Sequence, residues 1–138
     1  MKFTALIAVA AFVLPTLAQD YTYSYDTRYD NSGLSLNDVA CSDGANGLAA
    51  KYPTLGQLPT FPKVGGVVAI TGWNSPNCGS CWEVTYGNQT IYFTGVDVSQ
   101  NGFVSSEAAM NTLTGNQAVD LGRINVTAVQ VAASSCGL

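Results

Sequence analysis

The chain has no histidine, and that absence removes whole classes of chemistry. A Ser-His-Asp or Cys-His nucleophile system, a His-ligated zinc and an imidazole acting near neutral pH are all excluded. Carboxylates are the catalytic groups that remain, and theirs is the chemistry of glycosidases. Basic residues are scarce as well. Beyond the first eighteen residues there are four, Arg28, Lys51, Lys63 and Arg123, against nine acidic ones, for a net charge near −5. A phosphate backbone needs clustered Lys and Arg, and these four are scattered, so nucleic acid and anionic membrane surfaces are not expected partners. Internal repeats, low-complexity tracts and linkers are also missing. One domain is expected, with a surface rich in Ser, Thr, Asn, Gln, Gly and Tyr that suits neutral polar ligands such as sugars.

The one long apolar run opens the chain. Lys2 precedes Phe3 to Leu14, Pro15 breaks the run, and Thr16-Leu17-Ala18 supplies small residues at the −3 and −1 positions. This is the pattern of a secretory signal peptide over residues 1–18, cleaved after Ala18. The run is shorter than the roughly 20 residues a membrane span requires. A secreted, extracellular domain over residues 19–138 is expected, with no transmembrane segment.

The rest of the chain reads as mainly β. Tyr21-Thr22-Tyr23-Ser24-Tyr25 alternates aromatic with hydroxyl residues, a strand with one aromatic face that is mostly interior. Val67 to Thr71 is a short strand after Gly65-Gly66. Cys81 to Tyr86 and Gln89 to Val98 flank Gly87-Asn88, a two-residue hairpin turn. Ile124 to Val131 is a strand whose alternation breaks around Ala128, which predicts a bulge or burial on both faces. Ser105 is placed to cap a helix over 106–113 that ends at Gly115. Leu34 to Ala40 and Gly47 to Lys51 each suit a turn or two of helix. Lys51 to Pro62 holds three prolines and reads as an extended surface loop. Short strands and loops in about 120 residues point to a small β-barrel with helical insertions.

Four cysteines, Cys41, Cys78, Cys81 and Cys136, are expected to form two disulfides in an oxidising compartment. Three pairings are possible. A Cys78–Cys81 bridge would be a redox loop, yet no βαβ pattern surrounds it and no nearby Lys or Arg lowers a thiol pKa. A zinc site would need a second C-x-x-C pair, which the chain lacks. The middle pair is therefore expected to tie outward to Cys41 and Cys136. No metal and no cofactor are implied.

The segments Val39-Ala40-Cys41-Ser42, Tyr52-Pro53-Thr54-Leu55-Gly56, Leu58-Pro59-Thr60-Phe61-Pro62, Val64-Gly65-Gly66-Val67, Gly72-Trp73-Asn74-Ser75-Pro76-Asn77-Cys78-Gly79, Ala109-Met110-Asn111 and Leu113-Thr114-Gly115-Asn116-Gln117-Ala118 closely resemble the cerato-platanin family of small secreted fungal proteins. The resemblance runs over nearly all of residues 19–138. It implies a six-stranded double-ψ β-barrel, as in expansins, with short helices in the connecting loops. The disulfides it implies are Cys41–Cys78 and Cys81–Cys136. Loops of 37 and 55 residues closed this way are each worth roughly 4 kcal/mol in chain entropy. The resemblance further implies a fungal cell-wall protein that binds chitin or N-acetylglucosamine oligomers, loosens polysaccharides without cutting them, and elicits plant defence, with a plant receptor as a possible partner. The competing class is a surface-active, self-assembling or receptor-recognised signalling protein without a specific sugar site.

For chemistry, Asp97 resembles the aspartate shared in position with expansins and used as the acid by related endoglucanases. Its alternative role is to cap a loop or pair with an Arg. Hydrolysis needs a second carboxyl as base. Glu83 suits an outward strand position, Glu107 a helix start, and Asp120 a place beside Arg123. No catalytic residue is therefore assigned. Sugar recognition calls for an aromatic face with neutral polar groups, and Trp73, Asn74, Asn77, Asp97 and Asn101 are expected to line a shallow groove. Trp82, inside a strand, is expected in the core. Two N-x-T sequons place possible glycans at Asn88, on the hairpin turn, and at Asn125, in a strand and less accessible.

Overall fold

The computed structural model describes residues 17–138. The leader expected over residues 1–18 lies almost entirely outside the described residues. Six strands close into a barrel: β1 (Gln19–Tyr25), β2 (Val64–Val67), β3 (Cys81–Tyr86), β4 (Gln89–Val98), β5 (Phe103–Ser105) and β6 (Arg123–Val131). Their order around the barrel is β1-β5-β2-β4-β3-β6. Strands β1 and β5, and β2 and β4, pair in parallel, and the other neighbours pair antiparallel. Closure leaves no free sheet edge running the length of the barrel, which suits a small all-β domain. Two short helices, α1 (Glu107–Thr114) and α2 (Ala118–Leu121), precede β6.

The β3–β4 hairpin turns through Gly87-Asn88, with Tyr86 opposite Gln89. Gly87 has φ of 57°, matching the preference for Gly at the first position of a type II′ turn. Strand β2 lies earlier than the expected 67–71 strand. It includes Gly65-Gly66, because these residues have no Cβ to exclude the neighbouring strands. A Cβ on Gly65 would meet the Val104 carbonyl oxygen at 2.0 Å, and one on Gly66 would meet that of Val98 at 2.5 Å. The bulge also falls here, between Gly65 and Gly66. The one expected near Ala128 is absent: β6 keeps an unbroken register with both neighbours, and Ala128 faces inward after Ile124 and Val126.

Three residues were too few to betray β5 in the sequence, yet Phe103 is the centre of the barrel core. Its ring meets Tyr21, Trp82 and Phe93 edge-on at centroid distances of 5.3, 5.5 and 5.2 Å and stacks on Tyr23 at 5.9 Å. Each such pair adds about 0.5–1.5 kcal/mol beyond simple burial. Trp82 is 5% exposed, as its place in a strand predicts. Tyr23 is fully buried while Tyr21 and Tyr25 are half-buried against the same core.

A second apolar cluster unites Tyr29, Leu36, Leu55, Leu58, Val64 and Val96. It corrects the reading of 51–62 as an extended surface loop. Leu55 and Leu58 anchor that segment in the interior, and a 3-10 turn over Leu55–Gln57 shapes it. The expected helix over 34–40 is a single 3-10 turn, Leu36–Asp38. Residues 47–51 form turns, not helix. In α1 the N-cap is Ser106, one residue later than expected, its Oγ accepting from the Ala109 amide at 3.0 Å. Ser105 ends β5 instead. Asp30, far away in sequence, completes the cap by accepting from the amides of Glu107 and Ala108 at 2.8 and 3.0 Å. An acidic side chain at that helix start also complements the helix dipole.

The disulfides are Cys41–Cys78 and Cys81–Cys136, with Cα separations of 5.5 and 5.7 Å and no free cysteine among the described residues. No helix among these residues is long and apolar enough to cross a membrane.

Candidate functional site

The Cys41–Cys78 bridge ties two loops together at the end of the barrel where β2 and β4 finish. The first loop, residues 39–49, is also held by the Cys41 amide, which donates to the Val96 carbonyl at 3.0 Å. The second, residues 68–80, carries Trp73. Across a Gly/Pro/Asn-rich loop an indole finds no sheet to pack into, and Trp73 is 62% exposed. It is nonetheless fixed. Its Nε1–H donates to Asp43 Oδ1 at 2.6 Å, and its benzo edge lies over Gly44, where an added Cβ would sit 3.1 Å from Cζ2. The indole bond, first among several hydrogen bonds, holds the Asp43 carboxyl below the ordinary aspartate range. Beside this couple opens a groove of about 350 Å³ whose lining includes Asn37, Ser42, Asp43 and Gly44.

Asn74 adopts a left-handed φ of 57°, a conformation that Asn tolerates better than most residues. It clamps the two loops: its Oδ1 accepts from the Asn46 amide at 2.9 Å and its carbonyl accepts from Asn46 Nδ2 at 3.1 Å. Asn77 donates through Nδ2 to the Ala69 carbonyl at 2.9 Å. Asn101 is exposed in the β4–β5 loop, its carbonyl accepting from Ser99 Oγ at 2.8 Å. That loop docks on the second one through the Val68 amide, which donates to the Gly102 carbonyl at 2.9 Å.

Asp97 sits behind these loops with its side chain 14% exposed. Oδ2 accepts from the Tyr29 hydroxyl at 2.7 Å, while Oδ1 accepts from the amides of Ala40 at 3.1 Å and Val98 at 2.9 Å. Arg28 lies 3.9 Å away and caps the Asp38 carbonyl. Burial first, then the bond to Asp97 and its charge, hold the Tyr29 hydroxyl protonated far above its ordinary range. The carboxylate thus takes the loop-capping role, directly behind the cystine that anchors Trp73.

The other carboxylates are scattered. Glu83 pairs across the hairpin with Tyr92 and Glu107 starts α1. Asp120 makes no ion pair with Arg123 among the described residues. Asn88 and Asn125 are both exposed; Asn125 is more accessible than expected because strand alternation turns it outward from β6.

The structure therefore brings Trp73, Asn74 and Asn77 onto one braced loop, sets Asn101 on the loop docked beside it, and places Asp97 beneath. Sequence reasoning missed Asp43, Gly44 and Asn46. The available signal was the Asp-Gly turn two residues after Cys41, on the partner loop of the disulfide.

The family model for cerato-platanin matches residues 21–138. A heat-stable 19 kDa antigen of Coccidioides immitis is 47% identical over 145 residues, covering 100% of this chain and 99% of that one. Among solved structures, cerato-platanin 2 from M. perniciosa superposes with a TM-score of 0.85 at 44% identity, covering 87% of this chain and 100% of its own. The fungal elicitor cerato-platanin, known in solution, matches with a TM-score of 0.76 at 47% identity over 83% and 95% of the two chains.

Proposed function

This chain belongs to the cerato-platanin family, and from that premise we propose a secreted, non-catalytic carbohydrate-binding protein of the fungal cell wall. Its ligand is a chitin or N-acetylglucosamine oligomer laid across the Trp73 face. One observation carries the reading: an indole 62% exposed whose only polar atom is already bonded to Asp43. Such a ring has lost its hydrogen-bonding role and its rotational freedom, and offers a fixed apolar face for a sugar ring. Asn74 and Asn77 use only one end of each amide among the described residues. The other ends, with Asn101, suit acetamido and hydroxyl groups.

Hydrolysis is not part of this reading. Asp97 has three protein donors on its two oxygens, and an acid-base pair needs two carboxyls free to exchange protons with substrate. The protein acts by binding between polymer chains, an expansin-like loosening. Elicitation of plant defence follows if the released or bound protein is recognised by a host, and a related protein of known structure is described as a fungal elicitor.

The test is titration of isotope-labelled protein with chitin oligomers. Amides of residues 73, 74, 77 and 101 should shift first, and Trp73→Ala should weaken binding about tenfold. Shifts centred on Arg28 or Lys51 would place the site elsewhere. Film formation without saturable oligomer binding would favour the self-assembling alternative. Sugar release that depends on Asp97 would restore an enzyme.

A further inference from the structure

A second groove, of about 450 Å³, lies against the first half of β4, between the segment leading into β2 and the chain's last turn. Its size falls in the range of small-ligand sites. The five residue steps from Tyr92 to Asp97 along β4 separate it from the Trp73 end by roughly 17 Å of extended strand. Six of its side chains define its chemistry: Thr60, Phe61, Lys63, Thr90, Tyr92 and Ser135. Tyr92 is 42% exposed because strand alternation turns it out of the barrel, and Phe61 is half-buried beside it. Together they give the groove two aromatic rings; the Thr60 and Thr90 hydroxyls are bonded to Thr94 at 2.6 Å and Thr85 at 2.9 Å, which leaves the Ser135 hydroxyl without a partner among the described residues.

Lys63 gives the groove its sign. It is half-buried, and no carboxylate lies within ion-pairing distance of it among the described residues. In a chain so poor in basic residues, an unpaired, partly desolvated ammonium is the feature a ligand would complete. At the Tyr92 end, Glu83 Oε2 lies 3.5 Å from the Tyr92 hydroxyl. It would repel an anion at that end and confine it to the Lys63 end.

We propose that this groove binds a short acidic oligosaccharide, with a sugar carboxylate at Lys63 and a sugar ring against Tyr92. The site is independent of the Trp73 face. Calorimetry and amide-shift titration of the intact protein with an oligogalacturonate and with its neutral methyl ester test it. The acid form should bind saturably, shift residues 60–63 and 90–92, and weaken with added salt, while the ester binds at least fivefold more weakly. Lys63→Gln should weaken the acid form about tenfold, Tyr92→Ala should weaken both forms, and Trp73→Ala should change neither. Lys63 and Tyr92 lie outside the core, and unchanged thermal unfolding of the variants confirms intact folds. Equal binding of acid and ester, no effect of Lys63→Gln, shifts at residues 73–77 instead, or no saturable binding at millimolar ligand would each overturn the proposal.

Discussion

Replacing Asp97 separates a structural carboxylate from a ligand-binding one. In Asp97→Ala, the buried Tyr29 hydroxyl loses its acceptor, and the Ala40 and Val98 amides lose a charged one. Hydrogen bonds to charged groups contribute about 1.5–3 kcal/mol each, and an orphaned buried donor costs about 1–3 kcal/mol. The Arg28 contact, at 3.9 Å and with Arg28 42% exposed, adds at most about 1 kcal/mol. Allowing for water reaching the Val98 amide, the net loss should be about 3–5 kcal/mol, or roughly 12–20 °C in Tm for a domain of this size. Asp97→Asn should behave differently. Its Oδ1 can still accept from both amides and its Nδ2 can donate to the Tyr29 oxygen, but the Tyr29 O–H is left without an acceptor, so the loss falls only to about 1–3 kcal/mol. Urea unfolding with the disulfides intact measures both. A double-mutant cycle with Tyr29→Phe should give a coupling of about 1–2 kcal/mol. If Asp97→Ala unfolds within about 0.5 kcal/mol of the parent and yet abolishes oligomer binding, the assignment is wrong and Asp97 belongs to the ligand.

Three further outcomes follow from the same structure. The Tyr23 hydroxyl is fully buried, beside Ser105, and has no partner in hydrogen-bonding geometry among the described residues, so Tyr23→Phe should be neutral or stabilise by about 1–2 kcal/mol in urea unfolding; a loss beyond about 1 kcal/mol would reveal a bond to Ser105 or to a buried water. The Asp43 carboxyl is depressed in the folded state, so its hold on Trp73 is complete above the ordinary aspartate value and is lost as pH falls through the lower folded value. Tryptophan fluorescence should therefore stay flat from neutral pH down to that value and change only below it, and Asp43→Asn should remove the change; a transition near pH 6 would refute the couple. Gly44 has φ of 83°, and an added Cβ would lie 2.7 Å from Asn74 Oδ1, so Gly44→Ala should loosen Trp73 and raise its access to iodide quenching while the Trp82 signal stays protected.

Elements whose signal is local were legible from residues alone. The β3–β4 hairpin has long alternating strands around a Gly-Asn turn, and α1 has a serine cap and a closing glycine, so each was found within a residue or two. Strand β2 was misplaced because glycine normally weakens a strand; here only a residue without Cβ fits between β4 and β5. The segment 51–62 was misread because proline reports backbone restriction and says nothing of where Leu55 and Leu58 are buried. For the site, the exposure of Trp73 followed from its loop. The Asp43-Gly44 turn was visible, but the pairing of Asp43 with Trp73 was not, since the two lie 30 residues apart.

By itself the sequence determined the absence of imidazole chemistry, the acidic and neutral-polar surface, and the expectation of two outward-tied disulfides, because composition and spacing need no coordinates. Its family resemblance supplied the barrel and the cystine pairing. Only the tertiary structure decided what each polar group does. Asp97 became an anchor because folding brings Tyr29, 68 residues away, and Ala40, 57 residues away, to its two oxygens. Trp73 became a fixed platform because a disulfide brings Asp43 to its indole. A hydrogen bond acts over about 3 Å, and proximity on that scale between distant residues exists only once the chain has closed on itself.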